Sequence, residues 1–594
     1  MVNRKSEPHK SESQEPETIE RRWTLRDWIA GAVLFLCTAG VVLWQNAHVA
    51  ALFDLSYILN TAERIALGQV PYRDFPLAHA PLTFLFQAAI IRLTGRVIFH
   101  HVLYVAVIGG LGTVLAWRTA LGLLRGRVAA AWTLALLLAA PLTFLGVYSI
   151  VPNPEYDCDC GFWLLVALWF WLQVERKGSA AFAFFAGALA CVPLFFKQNM
   201  GLPFLLTAVG AVVAVLALRR PLRAEAQADA SSVRSLVAYL AGAGVSLAAA
   251  VLALAWTAGL GNYLHWTIQY AGQRRLPGFS LMLGVYDDPK LAWMLPCVVG
   301  ALLLLRAGNS KRLWTRVLAF SLLAAPFIWT ILSLLLYEDA EDRGDALLAL
   351  WPLALLLAGA LAIVNLFALR SRPSLRLFLP LLLLAAIHGT FLSQQLWGSS
   401  YGIWPLLVLL IAELLAALGT FTTRVGSEQW LTPALAALIS VTLFVCGGFY
   451  TVSEERLSYA SLPDGPAVHS AFPALAGLAT PGPFVPEIDE LLRYAQANIP
   501  FDDGIVLVPG EEPFYFATGR APRFPVPFFD PTIDPYSPAE IAALVRTHNI
   551  RWLIVKTDVQ TEGDPTPDRA ALMQLLMQEF TPAAHLRGYD VYRR

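Results

Sequence analysis

The chain has 594 residues, 57% of them hydrophobic and only 14% charged, with 43 basic and 43 acidic side chains that cancel. Soluble domains are nearer half apolar and a quarter charged, so a water-soluble globule is excluded and a multi-pass membrane protein is expected. The neutral balance also gives no reason to expect a nucleic-acid partner.

Residues 1–26 are polar and carry Arg4, Lys5, Lys10, Arg21, Arg22 and Arg26, without the small-residue cleavage pattern of a signal peptide. Asp27–Gln45 is long enough to span, because about 20 residues at 1.5 Å rise cross the hydrocarbon. The basic residues before it predict a cytoplasmic N-terminus, which places the next stretch, His48–Leu82, outside. That stretch holds Asp54, Glu63, Arg64, Tyr72, Arg73, Asp74 and His79, more ionisable chemistry than a connecting loop needs. Leu82–Thr94 is apolar for only about 13 residues and is expected to lie on or dip into the outer leaflet as a juxtamembrane helix. Val97–Leu124 then becomes the second span, which leaves Arg118, Arg125 and Arg127 on the cytoplasmic side.

From there the segments alternate through Val128–Val147, Phe162–Val174, Ala180–Phe196, Leu202–Leu218 and Val233–Leu260. They continue through Leu291–Leu305, Val317–Tyr337, Ala346–Leu369, Leu377–Leu392, Ile403–Leu418 and Leu431–Tyr450. About thirteen transmembrane helices result, with Lys and Arg on almost every cytoplasmic turn and acidic runs such as Glu338–Asp345 outside. Arg274 and Arg275, in the external loop Gly261–Lys290, are the exceptions. They could bind an anion such as phosphate by bidentate pairing, or simply offset Asp287 and Asp288.

After Tyr450 the apolar runs stop. The expected organisation is a cytoplasmic tail (1–26), a membrane domain (27–452), a Pro-, Ala- and Ser-rich connector (453–484) and an extracytoplasmic domain (485–594). In the last, helices are expected at Pro486–Ala497, at Pro538–Thr547 behind the cap Ser537, and at Arg569–Glu579. Strands are expected at Gly504–Val508, Arg551–Lys556 and Tyr589–Tyr592, which together make a small open α/β layer. The fold class is therefore a polytopic α-helical membrane protein with juxtamembrane structure in the first external loop and a small outer α/β domain.

The candidate chemistry sits in the external loops. Asp54, just past the first span, could act as general base toward an acceptor hydroxyl or amine, or instead cap a helix Leu55–Leu67. Glu155, Asp157 and Asp159 alternate before the fourth span, where they could assist a base, bind a divalent cation, or start a solvated helix. His79 could ligate metal or meet a phosphate as a cation. Arg73 could form a local pair with Asp74 or an anion site, and Lys197 could neutralise a lipid phosphate or snorkel to the interface. Cys158 and Cys160 form a two-cysteine pattern that says little about zinc. No dinucleotide fingerprint, P-loop, nucleophile elbow or HExxH occurs.

Taken together, Asp54, the run Gly68–Leu82 (GQVPYRDFPLAHAPL), Asn153–Asp157 (NPEYD) and Phe196–Pro203 (FKQNMGLP) resemble a known pattern. It is that of polyprenyl-phosphate-sugar-dependent membrane glycosyltransferases of the C fold type, the protein-mannosyl- and aminoarabinose-transferase-like superfamily. The resemblance covers roughly the first third of the chain. It implies inverting transfer of a sugar from a polyprenyl-phosphate carrier to a lipid, glycan or protein acceptor on the outer face. It implies Asp54 as base, assisted by an acid of the 155–159 run (Glu155 or Asp157). Lys197, with Arg274 or Arg275, would hold the lipid phosphate, and His79 would lie near the phosphate or a divalent metal ion; from their own chemistry, Arg73 is a further phosphate candidate and Asp159 a further metal candidate. Two departures stand out: Asp54 lacks an adjacent second acid, and NPEYDCD carries three acids where one is expected. Alternative readings are a lipid or glycan transporter, which would want charges within the spans, and a non-catalytic scaffold of the same fold.

Overall fold

The computed structural model describes residues 23–219, 228–274, 279–307, 312–337, 343, 346, 348–371, 373–393, 401–424, 430–452, 460, 461, 463, 465–530, 534–561 and 567–594. The first loop region contributes α1 (Leu25–Asn46), α2 (Leu52–Ala66), α3 (Leu82–Thr94) and α4 (Ile98–Leu124). Next come α5 (Ala131–Ala139), α6 (Leu142–Leu145), α7 (Tyr156–Lys177), α8 (Ala180–Ala190), α9 (Gln198–Arg219) and α10 (Ala228–Thr257). The bundle closes with α11 (Leu291–Arg306), α12 (Leu313–Leu336), α13 (Leu350–Ala368), α14 (Leu379–Phe391), α15 (Trp404–Arg424) and α16 (Leu431–Val452).

Among the described residues, nine helices are long and apolar enough to cross a membrane: α1, α4, α7, α9, α10, α12, α13, α15 and α16. Three shorter apolar helices, Ala180–Phe195, Leu291–Arg306 and Leu375–Phe391, join them. The α5–α6 pair is one expected span interrupted at Pro141, whose ring cannot continue a helix. The chain is a polytopic α-helical membrane protein, and among the described residues these twelve helices with the α5–α6 pair fall on the apolar segments read from the sequence. At the end of the bundle away from Asn46, Arg118 pairs with Asp27, Arg127 with Glu413 and Arg219 with Glu175. These are basic residues of the turns expected to face the cytoplasm.

The C-terminal domain is built on a four-stranded sheet, with β1 (Val468–His469) and β2 (Ala479–Thr480) forming a separate small ribbon. Its strands β3 (Gly504–Val508), β4 (Ile550–Lys556), β5 (Thr581–His585) and β6 (Tyr589–Arg593) lie in the order β3-β4-β6-β5. The β3–β4 pair is parallel and the others antiparallel. Strand β5 was not foreseen. It is an exposed edge with Pro582 in it, lacks apolar alternation, and exists through its pairing with β6.

Besides a small apolar core within the C-terminal domain around Val508, Val545 and Leu553, two larger ones form. One runs through the bundle around Trp117, Trp171, Trp351 and Trp404. The other joins α2 and α3 to the C-terminal domain, with Leu55, Ile58 and Phe84 packed among Phe514, Phe516 and Phe528. The expected connector takes part in it: Leu475 and Leu478 are buried there, and the Phe99 amide donates to the Ala476 carbonyl at 2.8 Å. Helix α3 is thus covered on one side by protein, which suits a 13-residue helix too short to span.

Candidate active site

Helix α2 begins at Leu52, earlier than the Leu55 expected, so Asp54 stands inside the first turn and is not the cap. The N-cap is Ala51, which has no side-chain oxygen to offer. Leu52, Ser56, Asn60 and Arg64 recur every four residues and therefore form one stripe along the helix. All four bond to the C-terminal domain. The Leu52 amide donates to Gln560 Oε1 at 2.6 Å, and Ser56 Oγ donates to the Glu511 carbonyl. Asn60 Nδ2 donates to the Glu512 carbonyl at 2.9 Å while its Oδ1 accepts from the Phe516 amide at 3.1 Å. Arg64 Nη2 donates to the Phe524 carbonyl at 2.6 Å. Asp54, two residues on from Leu52, points away from this stripe.

What Asp54 meets is the start of α7. That helix begins at Tyr156, well before the Phe162 expected, so two of the three acids fall in its first turn and Glu155 is its N-cap. The three acids separate. Glu155 is buried, and burial followed by the charge of Asp54 pushes its carboxyl well above the ordinary range, with Lys197 offsetting only part. Its Oε2 makes no hydrogen bond. Asp157 forms an ion pair with Lys197. Asp159 accepts from Thr83 Oγ1, Tyr104 Oη and Tyr148 Oη, each at 2.7 Å, and so ties α3, α4 and the loop before α7 together.

The two acidic runs belong to one end of the bundle. Asn46, at the end of α1, donates to the Pro152 carbonyl at 3.2 Å and to Asn153 Oδ1 at 3.3 Å. Lys197 arrives from a different hairpin, between a tight turn at Val192–Phe195 and α9. Gly201 makes that approach feasible, because a Cβ there would collide with the Leu194 backbone. Lys197 Nζ also lies 5.4 Å from the centre of the Tyr156 ring, and His79 stacks on the same ring at 4.2 Å. His79 Nδ1 is 2.9 Å from Tyr57 Oη, and the Tyr72 hydroxyl donates to its carbonyl at 2.8 Å. The aromatic residues Tyr57 and Tyr156 were not among the sequence candidates. The only hint of Tyr156 was its place between two acids in NPEYD.

Other candidates lie elsewhere. The Arg73 guanidinium is exposed and pairs with Asp74 at 2.8 Å, the local bridge that was one of its two readings. Arg274 closes a short helix, Ala271–Arg274; its side chain and all of Arg275 lie outside the described residues, as does most of Glu338–Asp345. The external loop Gly261–Lys290 does reach the first: Gln198 Nε2 donates to both the Ala78 and Thr267 carbonyls, at 3.1 and 3.2 Å, and Trp266 Nε1 to the Tyr72 carbonyl at 3.2 Å. Among the described residues, no group of three or more His, Cys, Asp or Glu side chains could hold a metal ion. His79 and Asp159 turn to different partners, and Cys158 and Cys160 are buried free thiols. Among the described residues, His79 and Asp159 therefore do not come together as the ligand pair the sequence suggested.

The sequence matches no family profile and no curated protein. Among solved structures the chain is similar to ArnT from Cupriavidus metallidurans bound to undecaprenyl phosphate. The identity is 14% and the TM-score 0.41, over 96% of this chain and 98% of that one. It is similar also to the archaeal oligosaccharyltransferase AglB from Archaeoglobus fulgidus in complex with an inhibitory peptide and a dolichol-phosphate. There the identity is 12% and the TM-score 0.45, over 90% of this chain and 70% of that one. A complex of the Archaeoglobus fulgidus oligosaccharyltransferase with Zn and sulfate matches at 12% identity and TM-score 0.46, over 89% and 68%.

Chemically, the site pairs a half-buried carboxylate with a neighbour whose carboxyl burial and like charge push well above the ordinary range. A buried ammonium stands beside them, held ready by Asp157. A proton acceptor, a proton donor and an anion holder are what a displacement with an anionic leaving group requires.

Proposed function

We propose that this chain is a membrane glycosyltransferase that moves a sugar from a polyprenyl-phosphate carrier to a hydroxyl or amine of a lipid, glycan or protein. The observation that carries the reading is the convergence of Asp54, Glu155 and the Lys197–Asp157 pair, from three separate hairpins, at one end of a membrane bundle. Asp54 accepts the acceptor's proton as its oxygen or nitrogen attacks the anomeric carbon. The carbon–oxygen bond to phosphate breaks with its electron pair leaving on the lipid phosphate, and attack opposite the leaving group inverts the centre. Lys197 stabilises that phosphate, and Glu155, protonated, donates a hydrogen bond beside it. No nucleotide is needed, since phosphate leaves once its charge is neutralised, and a lipid donor reaches the site by diffusing in the membrane plane. The basic residues opposite the site support an extracytoplasmic site and a cytoplasmic N-terminus.

The test is Asp54→Asn in membranes supplied with a labelled polyprenyl-phosphate sugar. Loss of a general base is expected to lower transfer by on the order of 10²–10⁴-fold. Unchanged transfer at normal expression would remove Asp54 from the mechanism.

A further inference from the structure

Gln560 belongs to the C-terminal domain yet grips the entry to α2. Its buried side chain accepts from the Leu52 amide at 2.6 Å through Oε1 and donates to the Ala50 carbonyl at 2.9 Å through Nε2. The first amides of a helix have no acceptor within it, so an outside group of this kind determines where the first turn sits. Gln560 is itself fixed. Its own amide and that of Thr561 donate to the two carboxylate oxygens of Glu511, at 2.8 and 3.0 Å, and Thr561 Oγ1 adds a third bond at 2.8 Å. Lys556 Nζ lies 3.0 Å from Glu511 and 3.7 Å from Glu512, all three buried. Burial pushes the Glu511 carboxyl up, but the Lys556 charge and the bonds from Gln560 and Thr561 outweigh it and hold it below the ordinary range. Beside this clamp, Phe53 packs edge-on against Phe528 with ring centres 4.2 Å apart.

We propose that the C-terminal domain is part of the frame of the reaction centre and that Gln560 is its positioning residue: by clamping Ala50 and Leu52 it sets the first turn of α2 and so the place of Asp54 against Glu155. This rests on the reading of Asp54 as the base. A domain that only needed tethering could bond α2 anywhere. Here an ion pair, a carboxylate with three donors and a glutamine converge on the residues just before Asp54. Reacting groups displaced by about 1 Å lose on the order of 10²-fold in rate, so such a clamp acts on catalysis without touching substrate.

The test uses the full-length protein in nanodiscs, with Gln560→Met, which keeps the packed length but loses both bonds, and Gln560→Ala. Arg64→Gln loosens the same interface three turns further along α2. Hydrogen exchange at the Leu52–Leu55 amides should rise at least about tenfold in both Gln560 variants and not in Arg64→Gln. Their kcat should fall about 10–100-fold with KM for the lipid donor within about twofold, while Arg64→Gln lowers thermal stability and leaves kcat within about twofold. Unaltered exchange at Leu52–Leu55, or an equal loss of kcat in Arg64→Gln, overturns the proposal. Should Asp54→Asn prove active, the reading of the base fails, and the exchange measurement still decides whether Gln560 sets the turn.

Discussion

Glu155 is the residue on which the electrostatics of the site turns. Two neighbouring carboxylates cannot both ionise cheaply, and burial raises the proton affinity of the more deeply buried one. Its ordinary value is 4.5, and the folded value lies well above that. Below about pH 4.5 the folded and unfolded chains both hold this proton. As pH rises past 4.5 the unfolded chain releases it first, so this contribution to stability is lost progressively until the folded value is passed. Glu155→Gln, which mimics the protonated acid, should therefore raise the thermal midpoint at neutral pH. It should also remove an alkaline limb from the pH–rate profile while keeping more activity than Glu155→Ala. A lowered midpoint with an unaltered alkaline limb would show that Glu155 works in its ionised form.

At the scale of elements, α2 carries two programmes on one helix. The stripe Leu52, Ser56, Asn60, Arg64 belongs to the C-terminal domain, and the side with Asp54 and Tyr57 meets Glu155 and His79. A four-residue period delivers the first, and the two-residue offset delivers the second. The bundle uses another device where α8 meets α10. A Cβ added at Gly187 would run into the Tyr239 carbonyl, and one at Gly242 into the Phe184 carbonyl, so the two backbones touch. Small residues allow such contact where no hydrophobic effect drives helices together. Gly187→Ala should cost roughly 1–3 kcal/mol, through overpacking, and lower the thermal midpoint in detergent. An unchanged midpoint would show that the pair can part without loss.

For the whole molecule, the shared core of first loop and C-terminal domain means that the latter is not a free-standing module. Residues 465–594 made alone would expose Phe514, Phe516 and Phe528, and should bind an apolar dye and associate. A monomeric, dye-negative fragment would refute this. The thirteen apolar segments are odd in number, and the domain sits at the end of α1 opposite Leu25. Reporter fusions should accordingly place the N-terminus in the cytoplasm and the C-terminus outside, as the positive-inside bias requires. Both termini reporting the same side would break the topology.

The sequence by itself determined the class and the apolar segments, because hydropathy over about 20 residues is a local property. It also put Asp54, Glu155, Asp157, Asp159 and Lys197 on one shortlist, since ionisable groups beside a membrane stand out against apolar neighbours. Only the tertiary structure decided their division of labour. Asp159 became a brace for three hydroxyls, Asp157 the partner of Lys197, and Glu155 the neighbour of Asp54. Those assignments depend on where α7 starts and on which hairpins meet. The clamp from Gln560 to Leu52 bridges residues more than five hundred positions apart, which no local pattern records.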